Sequence, residues 1–431
     1  MPSSDAELLR FEVVIIGAGA AGLMAAARAA ERGRSTLLIE KNRKPGVKIL
    51  MSGGTRCNIT HDCESAGIIA AFGSAGRFLH SALAALGPHE LVAMLNEEGL
   101  PTKVEPGGKV FPSSDRAVDV LDALLRRLHR SGAEVELGEG VKGVAPDGDC
   151  FCITARSRTI LADKLIITTG GKSYPGCGTT GDGYAWLAAM GHTIRRPRPA
   201  LVPLTSDETW VHELSGLTVT DAIVRVVDLR PDEKAGRRRR RGGLPTGVLI
   251  ERRGSLLFTH FGLSGPAILD VSRAVTGAGD LAHVALNVDF LPDTTAVALD
   301  ESLRRAAEQG GKRTIVACIA EQLPRRLSES LIALAEVPGD RRIAELTKVE
   351  RGRIVEALKN SQIRISGSRG FDKAEVTAGG VALDEVDSRT MESKLVPGLF
   401  IAGEVLDLDG FIGGYNFQAA FSTGWLAGES V

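Results

Sequence analysis

Residues Phe11–Lys41 read FEVVIIGAGAAGLMAAARAAERGRSTLLIEK, and this stretch decides the fold class. A short β-branched run, Glu12–Ile16, predicts a buried strand. The alanine-rich Ala20–Arg32 predicts a helix that Gly33 ends, and Thr36–Ile39 predicts a second strand. Together they make a βαβ opening of a parallel sheet. Gly17, Gly19 and Gly22 form a GxGxxG at the first strand–helix junction. The first glycine makes the tight turn, the second lets backbone approach a pyrophosphate, and the third lets the helix pack closely on the strand. The helix amino end offers unpaired N–H groups and partial positive charge to phosphates. Glu40 closes the second strand, where a carboxylate accepts ribose hydroxyls and repels a 2′-phosphate. The pattern predicts a bound dinucleotide without specifying which one.

Further along, KPGVKILMSGGTRCNITH is too polar and too punctuated to predict a helix. Helices are expected at Ala75–Leu86, His89–Glu98 and Ala117–Arg130, and strands near Glu134–Leu137, Cys150–Thr154 and Lys164–Thr168. TTGDG then leads into a helix, Gly181–Met190. Beyond Ile194 the character changes: Ala222–Leu229 and Thr246–Ile250 read as antiparallel strands, and residues 294–358 turn helical and charged. The tail has a strand, Leu399–Ala402, then GFIGG and a helix, Asn416–Leu426. This second strand–glycine–helix form suggests that the tail rejoins the first domain. It also favours FAD over NAD: a helix amino end there would favour the negative charge of a reduced flavin, and a nicotinamide enzyme has no need of it.

The chain has 431 residues. Apolar residues are 43% and charged residues 24%, a globular balance that argues against disorder, a collagen-like repeat or a coiled-coil rod. The 52 Lys and Arg against 53 Asp and Glu leave no global basic field for nucleic acid. Glycine, at 51 residues, is about 12% against a usual ~7%, consistent with many close backbone approaches. Six cysteines without a CxxC predict neither a disulfide scaffold nor a zinc site. A polar amino terminus and the lack of a long uncharged apolar stretch predict a cytoplasmic protein without a membrane span.

Several features carry competing readings. A second GxGxxG, Gly176–Gly178–Gly181, lacks a following strand capped by an acid and reads as a loop before a helix. Cys57 and Cys63 are spaced as Cx5C on a loop and read as bystanders rather than a redox pair. Arg237–Arg241 could anchor RNA or an anionic membrane but reads as a solvated hairpin tip. In THFGLSGPAI, which leads into a helix at Ala267–Arg273, His260 is either a proton donor or substrate contact or a core histidine. Ser264 lacks the context of a hydrolase elbow.

Six segments, in order from residue 13 to residue 428, resemble the BaiN/RdsA-type (aminoacetone-oxidase-like) FAD-dependent flavoproteins: VVIIGAGAAGLMAA, KILMSGGTRCNIT, TTGGKSYPGCGTTGDGYAWLAAMGH, LLFTHFGLSGPAILDVSR, VTAGGVALDEVDSRTMESKLVPGLFIAGEVLDLDG and GGYNFQAAFSTGWLAG. The tail is more distantly similar to fumarate reductase and ketosteroid dehydrogenase flavoproteins. The resemblance implies an α/β fold: a glutathione-reductase-type FAD-binding Rossmann domain built from both chain ends (1–194 and 380–431). Inserted in it would be a β-barrel-like domain (195–290 and 359–379) that carries a helical insertion (291–358). Gly17, Gly19, Ala20, Ala21, Gly22, Glu40 and Lys41 would serve the ADP half of FAD. Lys48, Ser52, Gly53, Gly54, Arg56, Cys57, Asn58, Thr169, Gly170 and Gly171 would line the rest. So would Gly403, Glu404, Asp409, Gly413, Gly414, Tyr415, Asn416 and Gln418. Lys48 and Arg56 are the candidates for phosphate charge. The family's usual GRK and SGGGRCN are GVK and SGGTRCN here, so Val47 stands in place of an arginine.

The implied activity is hydride transfer between flavin N5 and a carbonyl-conjugated, enone-like substrate, with NAD(P)H as a transient electron donor. Tyr174 and His260 are the candidates for substrate polarisation or proton delivery. A small-amine oxidase and a flavin-containing nucleic-acid-modifying protein are the alternatives.

Overall fold

The computed structural model describes residues 9–230, 247–310 and 312–431. Arg237–Arg241 therefore lie outside the described residues. Two compact units divide the chain: one takes residues up to Pro199 together with Phe371–Val431, the other Ala200–Gly370.

The first unit is organised by β1 (Leu9–Ile16), α1 (Ala20–Glu31) and β2 (Thr36–Glu40). The strands pair in parallel, Val13 opposite Thr36 and Ile16 opposite Ile39. Among the described residues the sheet runs Glu134–Leu137, β2, β1, Thr159–Ile167, Cys150–Ala155, Val141–Asp147. The tail strand Leu399–Ile401 adds in parallel to the upper half of Thr159–Ile167, Leu399 opposite Leu165. The lower half of that strand pairs antiparallel with Cys150–Ala155, so one nine-residue strand serves both neighbours. Val141–Asp147 escapes sequence reading because its half-buried, proline-containing pattern lacks an apolar alternation.

The carboxyl-terminal helix Tyr415–Ser430 packs directly on α1. A Cβ at Gly424 would lie 2.2 Å from the Ala21 carbonyl oxygen, and one at Gly428 2.4 Å from that of Ala25. Both chain ends thus share one core, with Leu23, Ala26, Phe421 and Ala427 fully buried. The apolar stretch Gly73–Glu97 is long enough to span a membrane and has mean hydropathy 1.2. It is broken at Gly87–Pro88 into His80–Ala85 and Pro88–Glu97, each with a buried side.

One expectation fails here. Part of the segment read as too punctuated for a helix forms α2 (Val47–Met51), followed by a 3-10 turn at Ser52–Thr55. The helix is only five residues long. Burial of Ile49 and a hydrogen bond from Gly46 N–H to the Ala18 carbonyl (2.8 Å) outweigh local propensity.

The second unit is built on an antiparallel sheet, ordered Ser361–Arg364, Val284–Asp289, Thr218–Asp228, Val248–Thr259, Gly262–Ser264, Leu204–Thr205 and Gly367–Ser368 among the described residues. Helix Pro266–Gly277 covers it. The strand expected to end at Ile250 continues to Thr259. Its charged ERRGS stretch is tolerated because Arg253 forms ion pairs with Asp221 and Asp293. The helices Ala296–Gly310, Ile315–Ile319, Arg325–Leu334 and Lys348–Lys359 bury Leu299, Ile315, Leu331 and Ile354 in the same cluster as Val224 and Leu286 of the sheet.

Candidate active site

In the β1–α1 turn each glycine has a separate steric reason. Gly17 has φ +105°, and a Cβ there would lie 2.7 Å from the Thr168 carbonyl oxygen. A Cβ on Gly22 would lie 1.8 Å from the Gly17 oxygen, whereas one on Gly19 would meet nothing within 4 Å. The first and third glycines are therefore consumed by the fold, and the second faces open space. α1 starts with neither a side-chain cap nor an acid in its first turn, so its terminal N–H groups keep their positive field. Ala20 and Ala21 begin that helix. Glu40 is buried, and its oxygens accept from Ala18 N–H and Asn42 N–H, both at 2.8 Å. Each oxygen retains lone-pair capacity for a hydroxyl. Lys41 points elsewhere, bonding Thr180 and Asp182 at 2.6 Å.

The Ser52–Asn58 loop holds Gly53, Gly54, Thr55 and Cys57 at positive φ. The Ser52 hydroxyl donates to the Ile49 carbonyl. Asn58, in the orientation its neighbours satisfy, donates to the Val110 and Thr60 carbonyls and accepts from Gly414 N–H. That ties the loop to the start of the carboxyl-terminal helix. Arg56 does not stand free for a phosphate: Glu105 and Asp115 pair with its guanidinium, which stacks 4.1 Å over Phe111. Cys57 is fully buried, and burial pushes its thiol up to about 12, so it forms no thiolate near neutrality. It and Cys63 are both free.

Lys48, the other phosphate candidate, is also engaged. Its ammonium bonds Glu404 (2.5 Å) and Ser173 Oγ (2.7 Å), and Ser173 donates to the other Glu404 oxygen (2.7 Å). Thr377 N–H completes the knot on Glu404 (2.9 Å). Gly171 is required there, since a Cβ would lie 2.3 Å from Thr377 Oγ1. Ser173 and Thr377 stand in the quoted segments TTGGKSYPGCG and VTAGG but were not singled out, because their joint contact with Glu404 links positions far apart in the chain.

The tail divides similarly. Gly403 packs against α1 (a Cβ would lie 2.8 Å from Ala21 Cβ), and its N–H donates to Thr423. Gly413 and Gly414 have φ +135° and +90°, and the helix they open has neither a side-chain cap nor an acid in its first turn. Tyr415 stacks on His61 at 4.7 Å. The side chains of Asn416 and Gln418 are engaged by the protein itself. Asn416 bonds the backbone of Gly410, and buried Gln418 bonds Thr60, Ser422 and the Leu86 carbonyl. Asp409 is buried. Beside Gly17, Thr169 Oγ1 is buried and makes no hydrogen bond among the described residues. Gly170 follows it with φ +72°.

The two catalytic candidates lie in different units. Tyr174 is half-buried in the first, and burial pushes its phenol above the ordinary range. His260 is exposed in the second, edge-on to Phe261. Glu375, near Tyr174, was not singled out from the sequence; it stands just before the strand Val376–Val381 and belongs to no motif.

The cradle fits a dinucleotide with a second ring system. Two uncapped helix starts, an open Gly19, the carboxylate of Glu40 and the unpartnered Thr169 hydroxyl belong to one unit. Fold and site together define an FAD-dependent oxidoreductase with a Rossmann-type binding domain. The chain belongs to the family described as HI0933-like protein Rossmann domain, which it matches over residues 11–430. It is 34% identical over 422 residues to the ribosomal RNA dihydrouridine synthase of Escherichia coli (strain K12), covering 98% of each chain. It is 32% identical over 420 residues to the 3-dehydro-bile acid delta(4,6)-reductase of Clostridium scindens, covering 97% of this chain and 98% of that one. Among solved structures, the 3-ketosteroid-delta4-(5alpha)-dehydrogenase of Rhodococcus jostii RHA1 shares the fold. The TM-score is 0.50 at 15% identity, over 100% of this chain and 98% of that one.

Proposed function

We propose that this protein reduces a carbon–carbon double bond conjugated to a carbonyl, and that its substrate is a uracil ring of ribosomal RNA. One observation carries the reading. Relatives matching nearly the whole chain are named for two substrates that share a single chemical step. Dihydrouridine arises by saturating the uracil 5,6 bond, which is conjugated to the C4 carbonyl. A 3-dehydro-bile acid presents a double bond conjugated to its C3 ketone. RNA stands first because a second relative, at 31% identity over 427 residues, from Haemophilus influenzae, carries the same dihydrouridine synthase name. The bile-acid relative supports a steroid-like enone as the second reading.

Bound FAD supplies a two-electron carrier able to deliver hydride. In this reading the α1 amino end and Gly19 would hold the diphosphate, Glu40 would hold ribose hydroxyls, and Gly413 and Gly414, which open the carboxyl-terminal helix, would help hold the remainder. The Tyr174 phenol, kept protonated by burial, donates a hydrogen bond to the substrate carbonyl. His260 is assigned no step. NAD(P)H is the proposed electron source.

The test is an anaerobic titration with NADH and NADPH, following the visible flavin band, then addition of either unmodified ribosomal RNA or a 3-keto-4,6-diene bile acid. The expected result is bleaching, then recovery of the band on adding RNA, with uridine gaining two hydrogens by mass spectrometry. Recovery with the bile acid alone favours the second reading. No recovery with either defeats the proposed reaction.

A further inference from the structure

In the first unit, the segment Phe371–Thr377 runs beside the loop Gly170–Cys177 and is stitched to it. Tyr174 N–H donates to the Phe371 carbonyl (3.0 Å), and Lys172 and Ser173 N–H both donate to Thr377 Oγ1 (2.8 and 3.0 Å). The Lys172 ammonium lies 5.4 Å over the Phe371 ring. Tyr174 has φ +52°, a costly conformation for a tyrosine. It is held because its carbonyl accepts from Cys177 N–H (2.8 Å) and Thr179 Oγ1 (3.1 Å).

Between these stitches the segment carries Asp372, Lys373 and Glu375, and the loop carries Tyr174; of these, Tyr174 and Glu375 act on each other's charge. Glu375 is exposed, and it makes no hydrogen bond or ion pair among the described residues. Rigid backbone, a strained tyrosine and an uncommitted carboxyl on adjoining segments make a poor structural staple. They make a good place to hold a movable proton.

We propose that Glu375 is a catalytic residue: the acid that protonates the substrate while Tyr174 holds its carbonyl. The inference rests on the reaction proposed above. Hydride from the enzyme's reduced flavin forms the new C–H bond at the β-carbon, and the π electrons shift toward the carbonyl. The Glu375 O–H bond then breaks, its proton forms the C–H bond at the α-carbon, and water returns a proton to the carboxylate. The substrate gains two hydrogens, and the flavin is oxidised by two electrons.

The electrostatics agree with this arrangement. Crowding by protein pushes the Glu375 carboxyl above the carboxylate range, although Lys48 from α2 and Lys109 from the strand Lys109–Pro112 pull it back. Burial pushes Tyr174 up, with Glu375 and Cys177 adding to it. Lys48 is itself paired with Glu404, which weakens its pull.

The test uses the holoenzyme and the variants Glu375→Gln, Glu375→Asp and Tyr174→Phe. The chain has three tyrosines, so carbon-13 labelling at Cζ gives three resonances, and Tyr174→Phe assigns the relevant one. In Glu375→Gln, Tyr174 should ionise at lower pH than in the wild type. Reductive turnover should fall ~10²-fold with FAD retained and should lose the decline that Glu375 deprotonation sets, keeping only the more alkaline one set by Tyr174. Glu375→Asp should restore part of the rate. An unmoved Tyr174 titration, or a wild-type rate in Glu375→Gln, overturns Glu375 as the proton donor and leaves the proposed reaction standing. A wild-type protein that reduces neither acceptor overturns the proposed reaction and the proton donor with it.

Discussion

The glycine cradle and the Tyr174–Glu375 face belong to one unit but are made of different material. In the cradle the backbone is the functional surface and the side chains are staples. Asn58, Asn416 and Gln418 all spend their amides on neighbouring backbone and hydroxyls. On the Tyr174–Glu375 face the roles reverse: backbone N–H groups and Thr377 do the stapling, and the side chains stay available. The cradle should therefore break when atoms are added, and the face should fail when a polar atom is removed.

The largest effects are expected from added atoms. Gly22→Ala places a methyl 1.8 Å from the Gly17 oxygen, and Gly424→Ala places one 2.2 Å from the Ala21 oxygen. Backbone on the receiving side cannot rotate away, so each should cost about 3 kcal/mol or more. Thermal unfolding checks the stability, and FAD absorbance after gel filtration separates the two. Gly22→Ala should lose cofactor even while folded, whereas folded Gly424→Ala should keep it. If both retain FAD equally, the cradle is not built of backbone in the sense argued here.

Removing a polar atom should act on rate rather than stability. Tyr174→Phe keeps the ring and the backbone stitches, so FAD and melting temperature should stay near wild type while reductive turnover falls ~10²-fold. Single-turnover reoxidation of the reduced flavin is the measurement. A large loss of FAD instead would place Tyr174 with the staples.

The same contrast explains what was legible in the sequence. Gly17, Gly22, Glu40 and the tail glycines could be read because a tight turn or a close approach leaves a residue-type signature. The return of the tail was legible in the second strand–glycine–helix pattern and is realised by Leu399 beside Leu165. Pairings between distant side chains leave no such trace. Arg56 looked free until Glu105 and Asp115 came beside it, and Lys48 until Glu404 did, 356 positions away. α2 was missed because tertiary burial of Ile49 decided it rather than local composition.

Lys48 sits where the two materials meet and sharpens the boundary. Its side chain and that of Glu404 are 24% and 18% exposed. Losing the pair is therefore discounted from a fully buried one, to about 1–2 kcal/mol. Lys48→Met should lower the melting temperature accordingly, with Ser173 and Thr377 still holding Glu404. If FAD affinity drops by much more than stability, Lys48 serves the cofactor directly rather than through the knot.

The smallest effect is a pH dependence from a region outside both. His192 is buried at the end of helix Asp182–Ala189, with Nε2 2.8 Å from Ser393 Oγ and Nδ1 3.2 Å from Glu385. Ser393 Oγ already accepts from Leu395 and Val396 N–H, so its hydroxyl proton points at Nε2 and the neutral ring donates from Nδ1 to Glu385. Protonating Nε2 would set donor against donor. Burial accordingly pushes the His192 pKa below its ordinary 6.5, against an opposing pull from Glu385. As pH falls through 6.5 the unfolded chain takes up this proton before the folded one does. Stability must then fall with falling pH, by at most about 1.4 kcal/mol per pH unit for one proton. Glu385, held below its ordinary value of 4.5 mainly by Thr193 and His192, adds a loss of the same sign only in more acidic solution. Urea midpoints compared between about pH 7 and pH 5.5 should show the His192 slope. His192→Gln, which cannot titrate, should flatten it while leaving turnover and FAD content unchanged; an unaltered slope would assign the proton uptake to another group.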